Sequence, residues 1–266
     1  MKIAIMQPTF CPWIGYFVMI ARVDAFVFLD CVQFQKQSWH SRNKIKVNDA
    51  PFLISLHLQK APLQTLIQDM RLCDMKKWKM VLLKTLHQNY QKSQNFKEIY
   101  EILEYALFNF ESLSQLNIYL IEQFSQILKL KTPFIKASSL ALSSQKKEKL
   151  VLEICQILKA DEYLSPIGAK DYLQKDEARA LFAKANINIE YFAMNHPVYK
   201  QQGKQNNFLQ SLSIIDLLFN AKNPAQILNK SAYETGGGGA KNCLLTKLAV
   251  YNALLLGIIN FKILKG

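Results

Sequence analysis

Uninterrupted apolar runs alternate along the start of the chain with segments whose apolar residues recur every three or four positions. Residues 3–6 (IAIM) and 25–30 (AFVFLD) are runs of the first kind, and residues 15–23 (GYFVMIARV) are of the second. A short run that is apolar on both faces is typical of a buried parallel strand, and the longer spacing is typical of a helix. The sequence therefore predicts a strand–loop–helix–strand unit, the opening of a parallel α/β sheet that binds ligands beyond the carboxyl ends of its strands.

The same alternation returns after a long helical stretch. Residues 51–58 predict a third strand, and residues 75–131 carry apolar stripes at helical spacing, which predicts a helical insert. Strands and helices are then predicted in turn within residues 132–140, 146–160, 161–166, 175–186 and 187–195, followed by a helix at 212–220. We predict one doubly wound, mostly parallel, Rossmann-like α/β domain over residues 1–235, interrupted by the insert.

A different pattern begins at the glycine run 236–239. A flexible hinge is the favoured interpretation, although glycines can also cradle phosphate. The apolar segment after it carries Lys247, Asn252, Asn260 and Lys262, which makes it a marginal membrane span. We expect a docked helix or mobile tail over residues 236–266, and no stable membrane insertion.

Charge and cysteine usage indicate a basic cytoplasmic protein. The chain has 33 Lys and Arg against 20 Asp and Glu, a net charge of +13, which favours an anionic partner. Lysine-rich composition explains the charge equally well, because arginine, the better bidentate phosphate reader, occurs at only four positions. The five cysteines are scattered, with no C-x-x-C pair, and no signal-peptide pattern is present. These features predict a cytoplasmic location.

Polar and aromatic residues crowd the loop that follows the first predicted strand. Two prolines stiffen residues 7–15, and Gly15 would allow a close approach at the start of the helix, where an anion is favoured. Gln7, Trp13 and Tyr16 are candidate substrate-binding residues there. The alternative is a rigid connection whose aromatic rings only cap the core.

A denser cluster follows the second predicted strand. Asp30 ends that strand, where a buried carboxylate is costly unless it has a partner, and Asp30 and His40 are candidate catalytic bases. The candidate substrate-binding residues of this segment are Gln33, Trp39, Arg42, Asn43 and Lys44. Arginine and lysine suit phosphate, and tryptophan suits stacking on a base or sugar. The segment lacks the ligand spacing of a metal site, so no metal or cofactor is predicted. A solvated basic loop is the alternative.

Two later strand exits share this polar character. Ser165, Gly168 and Lys170 follow one strand and could cradle a phosphate, although the pattern of a P-loop is absent. His196 and Tyr199 follow another strand, and His196 is a third candidate base. A single histidine in such a place is more often structural than catalytic.

Five blocks in chain order resemble the WbqC-like proteins: QPTFCPWIGYF, AFVFLDCVQFQKQSWHSRNKI, YLSPIGAKDYL, HPVY and LSIIDLLFN. They extend from the start of the chain to about residue 220. The resemblance implies a bacterial enzyme of surface-polysaccharide (O-antigen or related glycan) synthesis, in a pathway that handles amino sugars. The N-terminal unit also resembles nucleotidylyltransferase domains, but WIGY stands where those carry H-x-G-H, which argues against nucleotidyl transfer.

The family setting and the charge together predict a transferase. We expect transfer of an acyl or aminoacyl group to the amine of a nucleotide-linked amino sugar, with aminoacyl-tRNA, such as glycyl-tRNA, as one candidate donor bound through its phosphates. Two alternatives stay open. One is a non-catalytic module that binds nucleic acid or a nucleotide sugar, and the other is a membrane-face assembly protein that uses the C-terminal segment.

Overall fold

The computed structural model describes residues 1–143, 147–169, 173–204 and 207–233. The strands are β1 Lys2–Met6, β2 Ala25–Phe28, β3 Arg42–Val47, β4 Ala50–Ser55, β5 Phe134–Lys136, β6 Glu162–Ser165 and β7 Asn188–Tyr191. The helices are α1 Ile14–Ala21, α2 Lys76–Tyr90, α3 Phe96–Asn109, α4 Leu113–Ile127, α5 Lys147–Ile157, α6 Asp176–Lys184, α7 Ile214–Asn220 and α8 Pro224–Tyr233. The predicted glycine hinge and apolar C-terminal segment lie outside the described residues.

Five strands form one parallel sheet in the order β5-β2-β1-β6-β7. Its central strands are apolar on both faces because helices cover both sides. Ala4, Phe26 and Phe28 pack into one core with α1 to α4, whereas Ile3 and Ile5 pack into a second core with α5 and α6. The predicted doubly wound, Rossmann-like α/β fold is confirmed.

The order of the strands creates one special position at the carboxyl edge of the sheet. From β1 the chain builds outward through β2 and β5, then crosses back to add β6 and β7 on the other side of β1. The strand order therefore reverses between β1 and β6. In sheets of this kind, ligands bind in the crevice at such a reversal.

The strand predicted within residues 51–58 is present as β4. It does not join the five-stranded sheet but pairs antiparallel with β3 in a separate two-stranded hairpin. Asn48 and Asp49 form its turn, both with positive φ (47° and 62°), as a two-residue type I′ turn requires. Residues 42–47 were interpreted from the sequence as part of a polar cluster, so the strand β3 was not predicted.

The hairpin and helices α2 to α4 fill the long connection from β2 to β5. Their apolar stripes, with Leu82, Leu103 and Leu120 among the buried residues, pack into the same core as α1 and α7. This layer supports the carboxyl edge of β1. Within the described ranges, no helix combines the length and apolarity needed to cross a membrane.

A buried carboxylate ties α7 to this layer. Asp216 has no exposed surface, and its two oxygens accept hydrogen bonds from the hydroxyls of Tyr90 and Tyr199, each at 2.8 Å. Burial raises the pKa of Asp216, while the two tyrosine hydroxyls and the ammonium group of Lys46 oppose that shift. Tyr199, expected to bind substrate, belongs to this internal network.

Replacing Asp216 tests how much the network stabilises the fold. Asp216→Ala leaves two buried hydroxyls without their acceptor, so we expect the free energy of unfolding in urea to fall by about 3 kcal/mol. The control is Glu101→Ala, which removes an exposed ion pair with Lys97 (Nζ–Oε1 4.0 Å) and should leave the unfolding midpoint unchanged. Equal midpoints for both variants would contradict the assignment.

Candidate functional site

A pocket of about 280 Å³ lies at the exit of β1, on the edge where the strand order reverses. Its lining residues come from the end of β1, the loop after it, α1, the loop before β3, β3 itself and the segment before α7: Met6, Thr9, Pro12, Trp13, Tyr16, Trp39, Asn43 and Ser211. Four of these, Trp13, Tyr16, Trp39 and Asn43, were predicted from the sequence as substrate-binding residues. The pocket combines three aromatic walls with a few polar groups, which is a common composition for a small-molecule site.

Hydrogen bonds to backbone carbonyls fix the loop that forms the pocket. The Asn43 amide donates to the carbonyls of Phe10 and Cys11 at 3.0 and 2.7 Å, and the Ser213 hydroxyl donates to Cys11 at 2.7 Å. The Tyr16 hydroxyl donates to the carbonyl of Gln7 at 3.1 Å. Asn43 therefore shapes the loop from beneath, because both of its amide hydrogens are already used.

The two tryptophans stand in different environments. Trp13 stacks on His196 with ring centroids 6.1 Å apart, and a Cβ added at Gly15 would lie 2.3 Å from the Trp13 ring. The Trp13 ring therefore makes a close approach to the backbone at Gly15. Trp39 is 51% exposed, and the Lys44 ammonium lies 5.9 Å from its ring centre. An exposed aromatic face beside a cation suits a flat, anionic ligand.

Beside this pocket, His40 pairs with Gln7. The ring is 2% exposed, and its Nε2 lies 2.8 Å from the Gln7 side-chain oxygen, which is an acceptor for an Nε2–H donor. The other ring nitrogen, Nδ1, is buried and has no hydrogen-bond partner among the described residues. Burial lowers the pKa of His40 from 6.5 to about 4, so the ring is neutral at pH 7.

The other two candidate bases are already engaged. The Asp30 carboxylate accepts hydrogen bonds from the backbone N–H and the hydroxyl of Ser138, at 2.9 and 2.7 Å, which joins the exits of β2 and β5. In His196, Nε2 accepts from the N–H of Ser211 at 3.1 Å, so Nδ1 carries the proton and donates to the carbonyl of Pro197 at 2.9 Å. Both residues hold neighbouring segments in place.

The remaining predicted residues that the structure describes do not line the pocket. Arg42 and Lys44 lie two positions apart on β3 and so project from the same face of that strand. The Gln33 amide donates to the carbonyl of Leu63 at 2.7 Å, in a neighbouring part of the molecule. Ser165 is buried with its hydroxyl 3.2 Å from the carbonyl of Pro166, and Gly168 has no described atom within 4 Å of an added Cβ. Lys170 lies outside the described residues.

Sequence reasoning missed several residues that build the site. Thr9, Pro12 and Ser211 line the pocket, and Asn117 on α4 donates to the carbonyls of Pro8 and His40 at 3.2 and 2.8 Å. A polar residue within an apolar helical stripe was the only available signal for Asn117. Within the described part of the chain, no three His, Cys, Asp or Glu side chains come close enough to hold a metal ion.

Residues 7–227 match the WbqC-like protein family. The chain belongs to that family. The resemblance drawn from its five sequence blocks is thereby confirmed, and the match begins at Gln7, the first residue of the loop that forms the pocket. The matched residues include the loop that forms the pocket and the helices α1 to α4.

The uncharacterized protein Rv1507c of Mycobacterium tuberculosis is a relative of this chain. The two sequences are 31% identical over 223 residues, which is 82% of this chain and 93% of the relative. No solved structure matches the chain at a significant level.

The buried, neutral state of His40 predicts a pH-dependent stability. Below pH 6.5 the unfolded chain binds a proton at this ring that the folded chain, with a pKa of about 4, does not bind. Folding stability is therefore lost as the pH falls from 6.5 towards 4, and His40 accounts for about 2 kcal/mol of that loss at pH 5. Urea unfolding of His40→Gln at pH 7 and pH 5 should show a smaller loss than the unmodified protein. The same loss in both proteins would refute the assignment, and His87→Gln is the control.

Gly15→Ala tests whether the close packing at Gly15 sets the position of Trp13. The added methyl group cannot fit beneath the indole ring, so Trp13 must move, although alanine favours the helix by about 1 kcal/mol. We expect the indole N–H resonance of Trp13 to shift in an NMR spectrum while that of Trp78 stays in place. Gly168→Ala, which has open space, should shift neither. Unchanged indole resonances in Gly15→Ala would contradict the prediction.

Proposed function

We propose that this protein transfers an acyl or aminoacyl group to the amino group of a nucleotide-linked amino sugar in bacterial glycan synthesis. The observation that carries the proposal is the aromatic pocket at the reversal point of the sheet, lined by Trp13, Tyr16 and Trp39. Nucleobases and the apolar faces of sugar rings both pack against aromatic side chains. The resemblance to proteins of surface-polysaccharide synthesis supports a sugar in that role.

The size of the pocket and its charged neighbours support a nucleotide sugar with one ring inside. A volume of about 280 Å³ holds a single sugar or base, and the rest of such a ligand must extend outward. Trp39 is half exposed to solvent, and the Lys44 ammonium lies 5.9 Å from the centre of its ring. Arg42 projects from the same face of β3 as Lys44, so the two cations would meet the diphosphate.

His40 is the base that this arrangement supports best. Asp30 and His196 use both of their polar atoms in internal hydrogen bonds, whereas Nδ1 of His40 has none within the described residues. Neutral at pH 7, the ring can accept a proton.

In the proposed reaction, the sugar amine attacks the carbonyl carbon of the donor ester. A carbon–nitrogen bond forms, and the carbon–oxygen bond of the ester breaks. His40 takes the proton that the amine loses and passes it to the oxygen that leaves as a hydroxyl group. Gln7 orients the ring by accepting the hydrogen bond from Nε2. No metal or cofactor takes part in this proposal.

The net charge of +13 supports a polyanionic donor such as an aminoacyl-tRNA. Lysine contacts to phosphates need no base sequence, and they weaken as salt is added. The tRNA donor is supported by the net charge alone. That charge is carried mainly by lysines, which can contact phosphates.

A non-catalytic binding protein is the second candidate function. The engagement of Asp30 and His196 in structural hydrogen bonds favours it, since a site used only for recognition needs no free base. In that case the aromatic pocket would hold a nucleotide sugar or nucleic acid without turnover.

Substitution of His40 separates the two candidates. The ligand that copurifies with the protein would first be identified by mass spectrometry, with and without nuclease treatment, and then supplied as substrate. We expect His40→Gln to lower the rate of transfer about a hundredfold or more while its affinity for the sugar nucleotide stays within a few-fold, because glutamine keeps a donor to Gln7 but cannot act as a base. His87→Gln, on α2, is the matched control and should transfer at the normal rate.

Two results would contradict these proposals, the first by overturning the transferase and the second by overturning the role of His40. One is tight binding of a sugar nucleotide with no transfer from acyl or aminoacyl donors, which would establish the binding protein. The other is equal turnover by His40→Gln and the unmodified enzyme, which would remove His40 from the mechanism.

A further inference from the structure

A second cleft, of about 530 Å³, opens on the other side of the segment that carries His40. Two loops form its walls, one after β2 and one after β4. The lining residues are Phe34, Lys36, Gln37, Ser41, Leu56, Leu58, Gln59, Lys60, Ala61, Pro62, Leu63 and Met70. Nothing in the sequence patterns had marked residues 56–63 as a binding segment.

Hydrogen bonds hold the two walls together without a ligand. The N–H of Phe34 donates to the carbonyl of Thr65 at 2.9 Å, and the Gln33 amide donates to the carbonyl of Leu63 at 2.7 Å. The N–H of Leu56 donates to the carbonyl of Ser41 at 2.7 Å. The cleft is therefore preformed, which lowers the entropic cost of binding.

The cleft has an apolar floor and a cationic rim. Phe34, Leu56 and Met70 are buried at its base. Lys36 and Lys60 are exposed at the rim, and neither forms an ion pair with any described residue. None of the described lining residues carries a carboxylate, so nothing within the cleft neutralises the two ammonium groups. A bound anion would satisfy both of them.

Polar side chains between the floor and the rim narrow the class of ligand. Ser41 and Gln37 have groups that donate and accept hydrogen bonds, as the edge of a nucleobase requires. The Gln59 amide donates to the carbonyl of Leu72 at 3.1 Å, and its side-chain oxygen adds an acceptor. Leu63, 65% exposed at the lip, offers an apolar surface that a flat ring would cover. A fatty acyl chain would make no use of these polar groups.

His40 lies in the wall between this cleft and the aromatic pocket. Its neighbour Trp39 lines the pocket, whereas its other neighbour, Ser41, lines the cleft. The His40 ring also lies 5.6 Å from the ring of Phe34, on the floor of the cleft. Ligands in the two cavities would thus lie on either side of one histidine.

We propose that the second cleft binds a nucleoside monophosphate group, with the base on the apolar floor and the phosphate between Lys36 and Lys60. The assignment of that group to the donor substrate rests on the proposed function, whereas the binding of the nucleotide does not. The group is either a free nucleotide or the terminal nucleotide of an RNA, since both present the same base and phosphate.

Calorimetric titration with AMP and with a short single-stranded RNA tests the assignment. We expect the double variant Lys36→Gln/Lys60→Gln to bind the nucleotide group about tenfold more weakly or worse, because two charge-assisted contacts are lost. Lys149→Gln is the matched control: this exposed lysine lies on α5, which packs against the opposite face of the sheet. It should leave the affinity unchanged.

The outcomes separate the sources of the nucleotide and the two proposals. Binding of AMP assigns the cleft to a free nucleotide, and binding of RNA alone, lost when its terminal nucleotide is removed, assigns it to a chain end. Failure of both ligands to bind, or equal weakening by Lys149→Gln, overturns the inference.

If AMP binds through the two lysines but no transfer occurs, the proposed function fails and the assignment of the cleft is kept. If transfer occurs and the double variant leaves the donor KM unchanged, only the cleft assignment fails.

Discussion

The carbonyl group of Cys11 is the point on which the shape of the pocket depends. It accepts two hydrogen bonds of 2.7 Å, from Asn43 on β3 and from Ser213 at the start of α7. Cys11 itself has a positive φ of 42°, an unfavourable conformation for a residue with a side chain. A buried carbonyl without these donors would cost about 1–3 kcal/mol. The strained turn persists because the hairpin and α7 are both bonded to it, and these contacts bring together parts of the chain that are distant in sequence.

Several polar residues around the pocket likewise contact distant parts of the chain and hold them together. Asp30 joins two strand exits, His196 supports Trp13, and Tyr199 shares Asp216 with Tyr90. Each was predicted as a functional residue because it is polar and follows a strand, and in the structure each is engaged with a neighbouring part of the chain. His40 differs, since one of its ring nitrogens has no partner among the described residues. That nitrogen is buried, as is the side-chain oxygen of Asn117, which also has no partner among the described residues.

The long connection from β2 to β5 gives the family fold its two cavities. Its first part supplies Trp39 to the pocket, and the segments on both sides of β3 and β4 enclose the second cleft. Helices α2 to α4 support both from below through one continuous core. The match to the WbqC-like family spans this entire connection. Two cavities separated by one histidine suit a reaction that brings two ligands together, which is why the proposals on function and on the second cleft belong to one arrangement.

Much of the fold and part of the site were predictable from the sequence alone. The apolar runs at β1 and β2 specify a buried parallel sheet, because only strands covered on both faces lack polar alternation. The aromatic residues after β1 could be predicted as candidates because they follow the carboxyl end of a central strand, where parallel sheets bind ligands. Local pattern could not reveal the β3–β4 hairpin, because polar residues of β3 such as Asn43 and Lys46 are buried by partners far along the chain. It also could not show which polar groups are used internally. Hydrogen-bond partners, unlike hydrophobic periodicity, are set by distance in space and not in sequence, so only the tertiary structure decided which residues remain available for a ligand.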